Sequence, residues 1–261
     1  MTEKIARLEN ILRLRTPLLV AYSGGVDSTC LLAMAHRTLG SSVLGVIADS
    51  PSLPREALAD ARRVAADIGV SVRVIATEEF SNPDYLSNPP NRCYFCKAEL
   101  FTRMNALAAA EGFAAIAYGE NADDPAHLRP GSQAAAKFHV LAPLKDAGLT
   151  KADVRMLSHE LGLPTADAPA QPCLSSRVPH GTPVTREILA LVEQGESFVR
   201  SLGFSVFRVR YLDGTHPGAR VQIAPGEMDA LEGQRDTLDS GLRRIGFEFV
   251  EIDPRGYRSA I

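Results

Sequence analysis

The sequence predicts an α/β protein, a parallel doubly wound sheet followed by a smaller C-terminal α+β module. Three observations carry that reading. Short apolar runs alternate with helical patterns through the first half, a glycine turn joins the first run directly to the first helix, and the element order changes after Pro183. Strands separated by helices imply parallel βαβ units with both sheet faces covered.

The elements follow in order. Residues 18–22 read as a buried strand, 29–39 as a helix, 43–48 as a second strand, 55–67 as a helix and 72–75 as a third strand. A helix from about residue 97 to 110 leads into a fourth strand at 114–118. Thr150 is placed to cap a helix through residue 161, which Gly162 and Pro164 end. Residues 164–183 are rich in Pro, Ser, Ala and Gly and lack a period; a structureless stretch of that length is functional or linking. Beyond it, 186–202 reads as helix, 205–211 and 220–223 as strands, 228–245 as helix and 247–252 as a last strand. The expected division is residues 1–178 for the sheet domain and 179–261 for the second module, which would serve substrate binding or oligomerisation.

A net charge of −3 over 261 residues argues against a broad basic footprint for nucleic acid. No apolar run is long enough to cross a bilayer, and the start MTEKIARLEN lacks a signal-peptide core, so the expected location is cytoplasmic. Four cysteines without a secretory signal point to metal binding or catalysis instead of a disulfide framework. Cys93 and Cys96 form a C-x-x-C pair, whereas Cys30 lies in an apolar helical stripe and reads as a small buried residue.

The clearest chemical signal is Ser23-Gly24-Gly25-Val26-Asp27-Ser28-Thr29, between a strand and a helix. Two glycines let the backbone turn sharply beside a phosphate, and the helix N-terminus adds amide donors and a positive dipole end. Ser23, Ser28 and Thr29 add hydroxyls. No lysine closes the loop, so it is not the kinase-type phosphate loop. The bland alternative is a plain turn with a helix cap.

This segment resembles the PP-loop of the N-type ATP pyrophosphatases, which include GMP, NAD and asparagine synthetases and tRNA-thiolating enzymes. The resemblance implies cleavage of ATP between its α and β phosphates and transfer of AMP to a substrate oxygen. It implies nucleotide contacts from Ser23, Gly24, Gly25, Asp27, Ser28 and Thr29, and from Asp49 and Ser50 near the adenosine. Residues 119–124, among them Gly119 and Asp124, should do the same or hold Mg²⁺. Ligands on open parallel sheets do bind outside the carboxyl ends of strands. The alternative for the Asp123-Asp124 pair is a helix cap or a solvated turn.

The run Arg129-Pro130-Gly131, then Ala142-Pro143-Leu144, Gly148-Leu149-Thr150-Lys151, Pro172-Cys173-Leu174-Ser175-Ser176-Arg177 and Arg208-Val209-Arg210 resembles the LarE family over nearly the whole chain. LarE proteins are sulfur transferases in the biosynthesis of the nickel-pincer nucleotide, the cofactor of lactate racemase. The resemblance implies pyridinium-3,5-biscarboxylic acid mononucleotide as substrate, its carboxylates adenylated and then turned into thiocarboxylates. It also suggests a homo-oligomer, while the lack of an apolar run long enough to cross a bilayer leaves no membrane partner expected.

Residue chemistry agrees. An acyl-adenylate carries a good leaving group, and the sulfur that displaces it must be a thiolate or a metal-held sulfide. Cys173, with Ser176 and Arg177 beside it, is the candidate catalytic group, a guanidinium nearby favouring the thiolate. In LarE proteins with one such cysteine, that residue gives up its own sulfur and becomes dehydroalanine. Here Cys93 and Cys96 supply two further thiols. Cys93, Cys96 and Cys173 could hold a four-iron, four-sulfur (4Fe-4S) cluster with one open iron, as in the iron–sulfur LarE subgroup. A zinc site completed by His139 or His180, a redox disulfide and inert thiols remain open alternatives.

Arg208 and Arg210 fall on one face of a strand and, with Arg177, suit a nucleotide phosphate. Glu196 and Glu227 also resemble LarE functional positions, or else are solvated carboxylates. The rivals are a tRNA thiolase, an NAD synthetase-like amide-forming enzyme and a non-catalytic nucleotide-binding regulator.

Overall fold

The computed structural model describes residues 1–125 and 130–257. The chain divides into two compact units: Met1–Asn82 with Asn91–Gln171, and Pro83–Pro90 with Pro172–Ile261. Cys173 and its neighbours therefore belong with the second unit, whereas the sequence reading keeps residues up to 178 with the sheet. Among the described residues no helix is long and apolar enough to cross a membrane.

The first unit is built on β1 (Leu18–Ala21), β2 (Val43–Asp49), β3 (Val72–Ala76) and β4 (Ala115–Tyr118), all parallel, in the order β3-β2-β1-β4. Alternate residues of one strand feed different cores, because strand side chains alternate between faces. Leu18 and Val20 join the cluster of Leu8, Leu31 and Leu157, while Leu19 joins that of Phe101, Met104 and Ala134. Helices thus cover both faces. They are α1 (Thr2–Arg13), α2 (Val26–Leu39), α3 (Arg55–Ile68), α5 (Arg92–Glu111), α6 (Pro130–Lys137), α7 (Pro143–Asp146) and α8 (Lys151–Glu160); the short α4 (Pro83–Leu86) belongs to the second unit.

Two differences from the sequence reading have physical reasons. Helix α1 escapes a reading based on apolar period, since only Leu8 and Leu12 of its residues are buried and charged contacts such as Lys4–Asp153 (2.6 Å) help to pin it. Helix α5 begins at Arg92, directly after Pro90 and Asn91, so Cys93 and Cys96 lie within it and not before it. The expected cap of α8 is present as a reciprocal capping box between Thr150 and Asp153.

The second unit packs α9 (Arg186–Ser201) against β5 (Phe207–Leu212), β6 (Gly218–Ile223) and β7 (Phe249–Ile252), in the order β5-β6-β7. The β5/β6 pair is antiparallel and β6/β7 parallel. The helix expected over 228–245 is broken into α10 (Met228–Glu232) and α11 (Arg235–Ile245) at Gly233 and Gln234. Val199, Phe207, Val209, Val221, Leu242 and Phe247 form the core.

Candidate functional site

In the first unit the chemistry gathers at the carboxyl edge of the sheet. Between β1 and α2 the chain turns at Gly24, whose φ of +77° is left-handed; a Cβ there would also lie 3.0 Å from that of Ala61. Ser28 Oγ donates to the Gly25 carbonyl (3.0 Å) and accepts from the Ser23 amide (3.2 Å), and the two serine hydroxyls lie 3.1 Å apart. The loop is thereby shaped before any ligand arrives. Thr29 is fully buried, one residue further into the helix. At the next strand, a Cβ on Gly119 would sit 2.7 Å from the Ser28 nitrogen. Glycine lets the end of β4 press directly on the start of α2.

Asp27 accepts from Lys151 Nζ (2.6 Å) and Asn121 Nδ2 (3.1 Å). Asp123 accepts from the Lys151 amide (2.7 Å), and Asp124 from that of Asn121 (3.2 Å). Asp49 pairs with Arg55 Nη1 (2.6 Å), and Arg55 Nη2 also donates to the Ser50 carbonyl (2.9 Å). Buried Glu120 accepts from Ser132 Oγ (2.6 Å), Lys145 Nζ (3.4 Å) and the Tyr118 hydroxyl. Burial opposes its charge, but these donors hold its carboxyl below the usual range. Lys97 lies 4.3 Å from the centre of the Tyr118 ring. Just past β3, Thr77 Oγ1 and both carboxylate oxygens of Glu79 are buried without hydrogen-bond partners. Sequence reasoning missed Lys151, Lys145, Thr77 and Glu79 as site residues, because only the fold brings them to this edge.

The second unit holds a different assembly. Half-buried Cys173 precedes the 3-10 turn Leu174–Arg177, and its carbonyl accepts from Ser176 N (3.0 Å), Ser176 Oγ (2.8 Å) and Arg177 Nη1 (3.1 Å). Arg177 is buried, binds Glu196 through Nε (2.8 Å) and Nη2 (3.1 Å), and also reaches the Pro172 carbonyl. Glu196 accepts in addition from the Val209 amide (3.2 Å) of β5. Arg208 stacks on Tyr257, 4.5 Å from the ring centre, and burial, then the Arg177 charge, pushes its pKa down. Arg210 donates to the Ser176 carbonyl (3.2 Å). The fold thus brings Cys173, Ser176, Arg177, Glu196, Arg208 and Arg210 together. Glu227 stands apart, holding Ser205 N (3.0 Å), Ser205 Oγ (2.7 Å) and Val206 N (3.3 Å) ahead of β5.

Cys93, Cys96 and Cys173 are all reduced, Cys93 exposed and the other two half-buried. Cys93 and Cys96 are one turn apart, so they are neighbours on α5. Among the described residues, no three His, Cys, Asp or Glu side chains are gathered as a metal site. Arg129, part of the sequence pattern, lies outside the described residues. Cys30 is fully buried, and burial above all pushes its thiol up to about 12.

A parallel sheet bearing this serine–glycine loop at its carboxyl edge defines an ATP-cleaving enzyme of the PP-loop class. No family model matches the chain. It is 40% identical over 259 residues to an uncharacterized protein of Synechocystis, covering 97% of this chain and 96% of that one. It is 34% identical over 241 residues to the pyridinium-3,5-bisthiocarboxylic acid mononucleotide synthase of Lactiplantibacillus plantarum, covering 92% and 86%. A shorter match, 31% over 196 residues, covers 58% of this chain and 52% of the tRNA-specific 2-thiouridylase MnmA of Thermus thermophilus. The chain belongs to the LarE family of ATP-dependent sulfur transferases.

Proposed function

We propose that this enzyme adenylates the carboxylates of pyridinium-3,5-biscarboxylic acid mononucleotide and converts them to thiocarboxylates for the nickel-pincer nucleotide. The observation that supports it most is the gathering of Arg177, Arg208 and Arg210 around the Cys173 turn, where an anionic nucleotide would meet a thiol.

In this reading the Ser23–Ser28 loop and the first amides of α2 receive the phosphates, and Asp49 and Ser50 lie by the adenosine. Oxygen donors suit Mg²⁺, and Asp27 and Asp124 would hold it; bound there, the ion would neutralise the departing pyrophosphate. Lys151 must then yield part of its hold on Asp27. A substrate carboxylate oxygen bonds the α-phosphorus as the bond to the β-phosphate breaks and pyrophosphate leaves. The sulfur nucleophile then bonds the acyl carbon, and AMP departs with the former carboxylate oxygen. Arg208 and Arg210 bind the substrate's phosphate, while Arg177 and Ser176 fix the Cys173 carbonyl.

Cys93, Cys96 and Cys173 are the thiols that would hold a 4Fe-4S cluster. Thiolates are the ligands such a cluster takes, and Cys93 and Cys96 lie one helical turn apart on α5. Bound, the cluster would supply an exchangeable sulfide at its open iron.

Pyrophosphate release should be stimulated by the dicarboxylated pyridinium nucleotide and not by tRNA or nicotinic acid adenine dinucleotide; stimulation by tRNA instead would overturn the substrate. Anaerobic reconstitution should yield iron and sulfide on the chain and lose them in Cys173→Ala. A protein that takes up no cluster, yet loses sulfur from Cys173 in one turnover, would establish the sacrificial route instead.

A further inference from the structure

We infer that Asp253 and Gln222 are positioning residues for the Cys173 turn, acting through Arg210. The inference rests on the proposed role of Cys173, but the chain of contacts is independent of the substrate's identity. Gln222 stands on β6 opposite Arg208, one diagonal step from Arg210, and all three side chains share a sheet face because Val209 and Val221 fill the other. Arg210 Nε donates to Gln222 Oε1 (2.5 Å), and Gln222 Nε2 donates to Asp253 Oδ2 (2.9 Å). At the far end, Arg210 Nη1 donates to the Ser176 carbonyl (3.2 Å) in the turn that follows Cys173.

The order of these groups carries a direction. A glutamine amide has an accepting and a donating end, and either can point either way. Asp253 decides it. Its side chain is buried, and Arg255, through its side chain and amide, with Gln222, holds the carboxyl below the usual range. An ionised carboxylate only accepts, so the amide must give Asp253 its NH₂ and turn its oxygen to Arg210. A flipped amide would set NH₂ against the guanidinium and release Arg210 from its alignment on Ser176.

The test exchanges the acid and the amide. Asp253→Asn alone replaces an acceptor-only group with an amide that can also turn its NH₂ toward Gln222, and Gln222→Glu alone sets two carboxylates against each other. The combined Asp253→Asn/Gln222→Glu protein restores one acceptor-only group facing Arg210 at unchanged net charge. In the full chain, amide hydrogen exchange at residues 173–178 should quicken about tenfold in each single variant and return to within about twofold of the parent in the pair. Affinity for the dicarboxylated nucleotide should follow the same pattern, with ATP binding in the absence of that nucleotide unchanged. Arg210→Gln provides a second approach should a single variant not fold; it should reproduce the faster exchange with Asp253 intact. Unchanged exchange in Asp253→Asn or in Arg210→Gln, or a pair no better than the singles, would overturn the inference. Exchange that follows the pattern while even the parent fails to bind the dicarboxylated nucleotide would instead count against the proposed substrate alone.

Discussion

The phosphate loop and the Cys173 turn solve the same problem by opposite means. Each holds a short irregular segment in a fixed shape. The loop is shaped by backbone: a left-handed Gly24, a Gly119 that admits β4 to the helix start, and serines that bond within the loop. The turn is shaped by side chains: its own Arg177, held by Glu196 of α9, folds back on the Cys173 carbonyl, and Arg210 reaches in from β5. A backbone-built site tolerates no added atom at its contact points, whereas a side-chain-built one fails through lost or orphaned charges.

The largest effect should come from breaking the first kind. Gly119→Ala forces a methyl onto the Ser28 backbone, which cannot swing away, and pyrophosphate release should fall about a hundredfold or more. Retention of near-parent rates would show that the edge of β4 yields. Against the second kind, Arg177→Ala leaves the Glu196 carboxylate buried without its bidentate partner. That should cost about 3–5 kcal/mol of stability, read as a lower denaturant midpoint for the second unit. Arg208→Ala should be milder, weakening substrate affinity about tenfold while pyrophosphate release persists at saturating substrate. The smallest concerns neither site. Lys4 and the Thr150 amide and hydroxyl hold Asp153 down to about 2. A carboxyl depressed on folding contributes stability above its ordinary range, and that contribution is lost as pH falls toward 2. Acid unfolding curves of Asp153→Asn should therefore lie closest to the parent at the acid end and diverge slightly toward neutrality.

The same contrast explains what the sequence revealed. Ser23 to Thr29 lie together in the chain, so their chemistry could be read as a string. Asp49, Ser50 and Gly119 follow from the rule that strand ends meet at one edge. The Asp27–Lys151 pair and the approach of Gln222 to Arg210 and Asp253 depend on which strands and helices become neighbours, and no local pattern carries that. Alternation along β5 placed Arg208 and Arg210 on one face, yet it could not say that Glu227 would close the strand's entrance instead of joining them. Helix limits were legible where a cap or glycine marks them, as at Thr150, and missed where α5 starts without a side-chain cap.

Cys30 gives the chain a built-in reference. Buried within α2 with a thiol that stays protonated at ordinary pH, it is silent to alkylating reagents while the fold holds. A count of reactive sulfhydryls on the native protein therefore reports Cys93, Cys96 and Cys173 alone, and bound or consumed sulfur appears as a shortfall from three. The fourth should label only when the first unit opens, so one reagent followed over time separates sulfur chemistry from global unfolding in a single sample.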